Sequence, residues 1–446
     1  MGHEAIMKAR RTPARFTPAA SGTICRSITN AGGRAMATTT DATQVNAIDV
    51  LSNRVYSEGV PHDLLARLRR EQPIYWQQIP DEKLYDEAWV LTRHADVLAV
   101  SRDTDNFING HGLNLRGDYS DDEDRHLLNL DDPHHLQLRR LTNKGFTPKV
   151  VRRYEAHYRD LAGQLIDSAI AGTDDPANPV FDAVDALSVP LPLLAICELL
   201  GTTPDDREQL VAWSNAIITN DDPDYSPTPE SRNEANEGLK AYILDMLADR
   251  RKNPTDDLAT VLTQHLDQGT LTPDEFNSYV MLLFVAGNET TRNNISHGLH
   301  QLASNPDQFE RLKTGEHFDT AVDEVTRWAS PVIYMSRTVV NDVEYEGHTF
   351  RKDQKIVLHY ASANRDETVF EDPMTFDICR DPNPHIAFGF GAHFCLGVHL
   401  AKLETKCMLE ELVARIDRLE LAERPSHVHS SFIAGIKELP VRLVLK

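Results

Sequence analysis

Apolar positions along this chain recur mostly at helical spacing, and β-forming runs are few and short. The clearest helix start is Thr272-Pro273-Asp274-Glu275, which supplies an N-cap, a proline at the first helical position and a capping-box glutamate. The apolar pattern opens at Phe276 and runs past Ala286-Gly287 to about Leu302, long for a globular helix. A second helical pattern covers His399–Arg415. Strands are expected at Ala88–Thr92, Val339–Tyr345, Lys355–His359 and Pro440–Val444, where β-formers alternate or cluster. Neither an internal repeat nor a flexible linker breaks the pattern. One mainly α fold with small β-sheets is therefore expected over residues 46–446, although a chain of 446 residues would ordinarily suggest two or three domains.

The first 40 residues follow no such pattern. They carry Lys8, Arg10, Arg11, Arg15, Arg26 and Arg34 against one acid, Glu4. A basic, acid-poor targeting peptide is one reading. The plainer one is that Met36 opens a natural start and residues 1–35 are an upstream extension; on either reading residues 1–45 are expected to be a disordered or non-native extension outside the fold.

Composition narrows the function. With 46 basic against 68 acidic residues the net charge is −22, which argues against binding nucleic acid. The apolar run Tyr279–Gly287 falls far short of the roughly 20 residues that cross a bilayer, so no membrane span is expected. The five cysteines, Cys25, Cys197, Cys379, Cys395 and Cys407, form no CxxC pair, which disfavours a disulfide scaffold or a zinc finger. A reducing, cytoplasmic setting fits them best.

The richest stretch is Phe388-Gly389-Phe390-Gly391-Ala392-His393-Phe394-Cys395-Leu396-Gly397, just before the His399–Arg415 helix. Glycines allow turn conformations and close approach to a flat group. Backbone N–H groups and a helix start favour a thiolate at Cys395, and such a thiolate is a strong axial donor to heme iron. A phosphate cradle would need a glycine where Phe394 stands. Cysteine-protease signatures are absent, and an inert buried cysteine is the ordinary alternative.

Phe388, Gly389, Gly391, Cys395 and Gly397 resemble the heme-binding signature of the cytochrome P-450 family, with His393 where arginine is more frequent. Other segments resemble that family in the same order. Glu324-Val325-Thr326-Arg327, about 70 residues before the cysteine, is similar to its ExxR element, with Arg380 as a third member of a buried structural cluster. Ala286-Gly287-Asn288-Glu289-Thr290-Thr291 resembles the oxygen-activation motif. There Ala286 and Gly287 would let heme approach the backbone, and Thr290 and Glu289 would supply a hydroxyl and a proton-relaying carboxylate. In Asp131–Arg140, His135 and Arg139 are spaced i, i+4 and would meet a heme propionate, as would Arg337 and His393.

The resemblance covers residues 50–446 and implies a single cytochrome P-450 fold, heme b (iron protoporphyrin IX) on Cys395, and a dioxygen-dependent monooxygenase. It places substrate near Phe107, Phe284, Val285, Val332, Ile333, Met335, Phe432 and Ile433, a mainly apolar set suited to a hydrophobic guest. Arg327–Met335 and Gly287–Asn293 look like bacterial members acting on steroids, branched isoprenoid lipids and terpenes. Ferredoxin and ferredoxin reductase are the implied electron donors, with Arg140, Lys144, Lys402 and Lys406 as a docking patch, and a monomer is expected. A heme-thiolate ligand or gas sensor and a peroxide-driven oxygenase are the alternatives. The pairing of Glu289 with Thr290 favours dioxygen.

Overall fold

The computed structural model describes residues 48–79, 85–115, 126–202, 206–218, 222–228 and 230–446, and the extension expected over residues 1–45 lies outside them. The axis of the fold is the helix Pro273–Ser304. Thr272 caps it by accepting from Glu275 N, while the Glu275 side chain accepts from Thr272 N, the full capping box. Such a cap contributes about 1 kcal/mol and fixes where the helix begins.

Around this axis pack the helices Pro190–Leu200, Phe318–Ala329 and Val398–Arg415, and Glu155–Ala171 lies against Val398–Arg415, together forming the larger apolar core. Val398–Arg415 begins one residue before the expected start, with Gly397 as its N-cap. The axial helix is not apolar throughout. From Asn288 to Ser296 it buries Asn288, Glu289, Thr291, Arg292, Asn293, Asn294 and Ser296, so this stretch adds polar contacts to the apolar ones of Ile295, Leu299 and Leu302.

A five-stranded sheet forms the second region, in the order Ile74–Gln78, Glu87–Leu91, Lys355–Leu358, Met335–Val339, Phe107–Ile108. Its one parallel pairing joins Glu87–Leu91 to Lys355–Leu358; the others are antiparallel. A smaller core of Leu91, Val97, Phe107, Val339, Phe350, Ile356 and Leu358 lies against it. The C-terminal strand Pro440–Leu445 joins Val180–Asp182 and Ile416–Leu421 in a three-stranded sheet.

One expected strand is two. Val339 ends the strand Met335–Val339, and Val343 opens a hairpin of Val343–Tyr345 with His348–Phe350. Asp342 causes the break, because its carboxylate accepts from Lys352 N at 3.0 Å and from Arg351 Nη1 at 2.7 Å, pinning a bend.

Candidate active site

The loop that carries Cys395 is fixed by its own backbone and by a buried ion cluster. Gly389, at φ +71°, donates its N–H to Ile386 O at 2.9 Å, and Cys395 N–H donates to Phe388 O at 2.9 Å. Gly391, at φ +78°, passes so close to the helix His94–Arg102 that a Cβ there would sit 2.6 Å from Ser101 O. Behind the loop, Glu324 and Arg327 are both 0% exposed. Glu324 accepts from Arg327 Nε at 2.7 Å and Nη2 at 2.8 Å, from Arg380 Nε at 3.2 Å, from Asn383 Nδ2 at 3.1 Å and from Asp377 N at 2.9 Å. Arg327 also reaches the carbonyls of Asn364, Pro373 and Thr375. Asn364 then ties the end of the Phe318–Ala329 helix to the loop, donating to Ser330 Oγ at 2.9 Å and accepting from Ile386 N at 2.7 Å.

Cys395 opens onto a cavity that encloses about 1490 Å³, including its mouth. On the opposite side run Leu282, Leu283, Ala286, Gly287, Thr290, Thr291 and Asn294 of the axial helix. The remaining wall is mostly apolar, from Leu113, Leu127, Leu128, Ile196, Val332 and Met335. Of the expected heme and substrate neighbours, Arg139, Ala286, Thr290, Val332, Met335, Arg337, Phe388, Gly389, His393, Cys395 and Gly397 line this cavity. His135 stands behind it with its ring stacked on His393 at 4.1 Å between centroids.

Six expected substrate contacts do not line it. Phe107 pairs in the sheet and packs on Phe350. Phe284 turns towards Tyr242, Val285 packs into the helical core, and Phe432 packs on Tyr334. Ile333 and Ile433 face a different cavity. Residues that sequence reasoning missed, Leu282, Leu283, Ile196, Leu127 and Leu128, fill those places. For the axial helix the signal was present: Leu283, Gly287 and Thr290 recur at i, i+4 and i+7, whereas residues 284 and 285 turn to other faces.

The electrostatics select the kind of guest. Arg337 is 5% exposed and Arg139 donates to Phe394 O at the cavity wall. His135 Nε2 and His393 Nδ1 are buried and find no partner among the described residues. Burial, then the neighbouring His135 and Arg337, holds the His393 imidazole down to about 2, which favours its neutral form. Among the described residues, Glu404 is the one carboxylate that lines the cavity. Burial raises the Glu404 carboxyl well above the usual range, which favours its neutral form. An apolar cavity with a thiol on one face and cationic or donor groups at one edge fits a flat macrocycle with two carboxylates.

The thiol itself is less acidic than the loop alone suggests. Burial pushes Cys395 up, outweighing the Gly397 N–H and Arg139, which pull it down. Coordination to a metal would remove the proton outright.

Thr290 donates through Oγ1 to Ala286 O at 2.8 Å. Glu289 is fully buried beside it, accepting at Oε1 from Arg292 Nη2 at 2.6 Å and from Asn293 Nδ2 at 2.9 Å. Arg292 is held in turn by Asn215 Oδ1 at 2.8 Å.

The family model described as Cytochrome P-450 matches residues 54–315 and 316–432, nearly the whole described chain. The chain belongs to that family. It is a heme-thiolate monooxygenase that acts on hydrophobic molecules, with dioxygen and redox partners as the family requires. It is 38% identical over 408 residues to a steroid C26-monooxygenase of Mycolicibacterium smegmatis, covering 88% of this chain and 93% of that relative. It is 40% identical over 395 residues to a methyl-branched lipid omega-hydroxylase of Mycobacterium tuberculosis, covering 86% and 91%. A Mycobacterium marinum cytochrome P-450 solved with pseudoionone superposes with a TM-score of 0.82 at 31% identity, covering 90% of this chain and all of that one. No helix among the described residues is long and apolar enough to cross a membrane.

Proposed function

We propose that this cytochrome P-450 hydroxylates the end of a branched aliphatic chain on a steroid, terpene or isoprenoid-type lipid. The observation that carries the proposal is the cavity wall. Leu113, Leu127, Leu128, Ile196, Leu282, Leu283, Val332 and Met335 offer an elongated guest mainly apolar burial, with Thr290, Thr291, Asn294 and Asn109 as the few uncharged polar side chains beside them. The names of both relatives, C26 and omega, refer to chain ends. The test is to titrate purified holoprotein with cholest-4-en-3-one and with a methyl-branched fatty acid. Product is then identified in the presence of NAD(P)H, ferredoxin and ferredoxin reductase. A displaced Soret band and a terminal alcohol are expected; oxidation confined to ring carbons would overturn the proposal.

Cys395 would hold the iron of heme b, and Arg139, Arg337, His135 and His393 would receive its carboxylates. Bound there, heme supplies the activation of dioxygen for insertion of one oxygen atom. The chain's own task is then to exclude water and to deliver protons. The Thr290 hydroxyl faces the cavity and can accept or pass a proton. Glu289 sits one residue along, its Oε1 engaged with Arg292 and its buried Oε2 without a partner among the described residues, which leaves that second oxygen for the relay. Thr290→Ala is therefore expected to lower product formed per reductant consumed by about tenfold or more, leaving substrate affinity near wild type. Unchanged coupling would remove Thr290 from the proton path.

A cytoplasmic monomer reduced by a ferredoxin is the accompanying reading. Of the four cations expected to form the docking patch, Lys402 pairs with Asp323 at 2.6 Å and Lys406 with Asp319 at 2.7 Å. Arg140 and Lys144 are exposed and are the stronger contacts for an acidic donor. The double variant Arg140→Glu, Lys144→Glu is expected to slow the first electron transfer at least about tenfold at low salt, with unaltered substrate titration. An unchanged rate in stopped flow rules these two residues out of the docking patch.

A further inference from the structure

A second cavity lies behind the Pro331–Met335 segment. Successive residues of an extended chain point to opposite sides, and here Val332 lines the first cavity and Ile333 the second. The side chains that give this second cavity its chemistry are Arg365, His62, His297, His300, His427 and Glu58.

Arg365 is 1% exposed. It donates through Nη2 to Trp328 O at 2.8 Å and lies over the Trp328 ring at 4.6 Å, but Nε and Nη1 have no acceptor among the described residues. The buried Nδ1 of His62 also lacks a partner among them. A guanidinium keeps its charge at any working pH, and a buried charge needs a counter-charge. The wall does not provide one. Glu58 is exposed and already pairs with Arg424. Glu324, the acid that acts on Arg365 most strongly, is already bound to Arg327 and Arg380.

The imidazoles supply no counter-charge either. Burial holds His297 down to about 3 and His300 down to about 4; His297 gives its Nε2–H to Ala434 O at 3.1 Å, whereas His300 Nδ1 accepts from Gln301 Nε2 and its Nε2–H is left for the cavity. They do not make a metal site, since no group of three or more His, Cys, Asp or Glu among the described residues is placed to hold a metal ion. Arg365 would in any case repel a cation.

We propose that this cavity binds a small oxyanion, a phosphate or a short carboxylate, held by Arg365 with His62 and His300. None of these residues lines the heme cavity, so the site is separate from the reaction. The test titrates holoprotein with sodium phosphate and, separately, sodium acetate in a calorimeter, ionic strength being held constant with chloride. Thermal unfolding is followed in the same buffers. One saturable site is expected, with a rise in Tm of about 2 °C or more at saturation. Saturation by phosphate alone, acetate alone or both identifies the oxyanion taken.

Arg365→Gln is expected to weaken binding at least about tenfold. The proposal fails if neither anion binds saturably to the wild type, or if Arg365→Gln binds as tightly. Should Arg365→Gln not accumulate as holoprotein, His300→Phe fills the cavity from its half-buried rim. Binding that survives that variant also overturns the proposal.

Discussion

Cys395→Ala is expected to yield a protein that folds its helices but shows no red-shifted Soret band when reduced and exposed to carbon monoxide, and no hydroxylation. The loop itself should survive. Its hydrogen bonds run through backbone atoms, from Gly389 N to Ile386 O and from Cys395 N to Phe388 O, and alanine keeps both. The side chain contributes only its sulfur to the cavity. Any heme retained by Arg139, Arg337 and the two stacked histidines would lack the thiolate that drives O–O cleavage. Activity should therefore fall below detection while far-ultraviolet circular dichroism stays at the wild-type level. A variant that keeps the red-shifted band would mean another residue holds the iron. Cys379 is only partly buried, whereas Cys197 and Cys407 are buried in the helical core.

The second large effect is on stability. Glu324→Gln removes the one carboxylate that Arg327 and Arg380 hold among the described residues and turns one of its oxygens into a donor that faces their N–H groups. Breaking a buried pair by removing one partner costs about 3–5 kcal/mol, against a total stability of about 5–15 kcal/mol. Little holoprotein should accumulate at 37 °C, and the urea midpoint at lower temperature should fall in proportion. Arg327→Lys should do nearly as much harm, since one ammonium cannot match the five hydrogen bonds that the guanidinium makes to Glu324, Asn364, Pro373 and Thr375. The exposed Glu310→Gln serves as a control and should shift stability by no more than about 0.5 kcal/mol. A urea midpoint for Glu324→Gln within error of wild type would show that the cluster is dispensable.

Much of the fold was legible because its requirements are local. The start of the axial helix is written in four consecutive residues, Thr272 to Glu275, and the turns of the Cys395 loop need glycines at fixed positions. The Glu324–Arg327 spacing was likewise readable, but burial of the pair depends on distant backbone carbonyls that no local pattern reveals. The cavity wall was read less well. Apolar residues look alike in sequence, so Phe284 and Val285 were as plausible as Leu283 and Leu282, and only the helical phase set by Thr290 separates them. Ile333 and Val332 differ by one step of a strand, which sends them into different cavities. The histidines of the second cavity come from positions 62, 297, 300 and 427, and nothing but the fold brings them together.

The path from Ser330 through Asn364 to Ile386, with Gly391 against Ser101, joins the helical core, the sheet region and the Cys395 loop by short, buried contacts. Regions tied in this way cannot melt one at a time. Bleaching of the heme band and loss of secondary structure should therefore trace a single coincident curve on heating, so the colour of the protein doubles as a gauge of its global integrity.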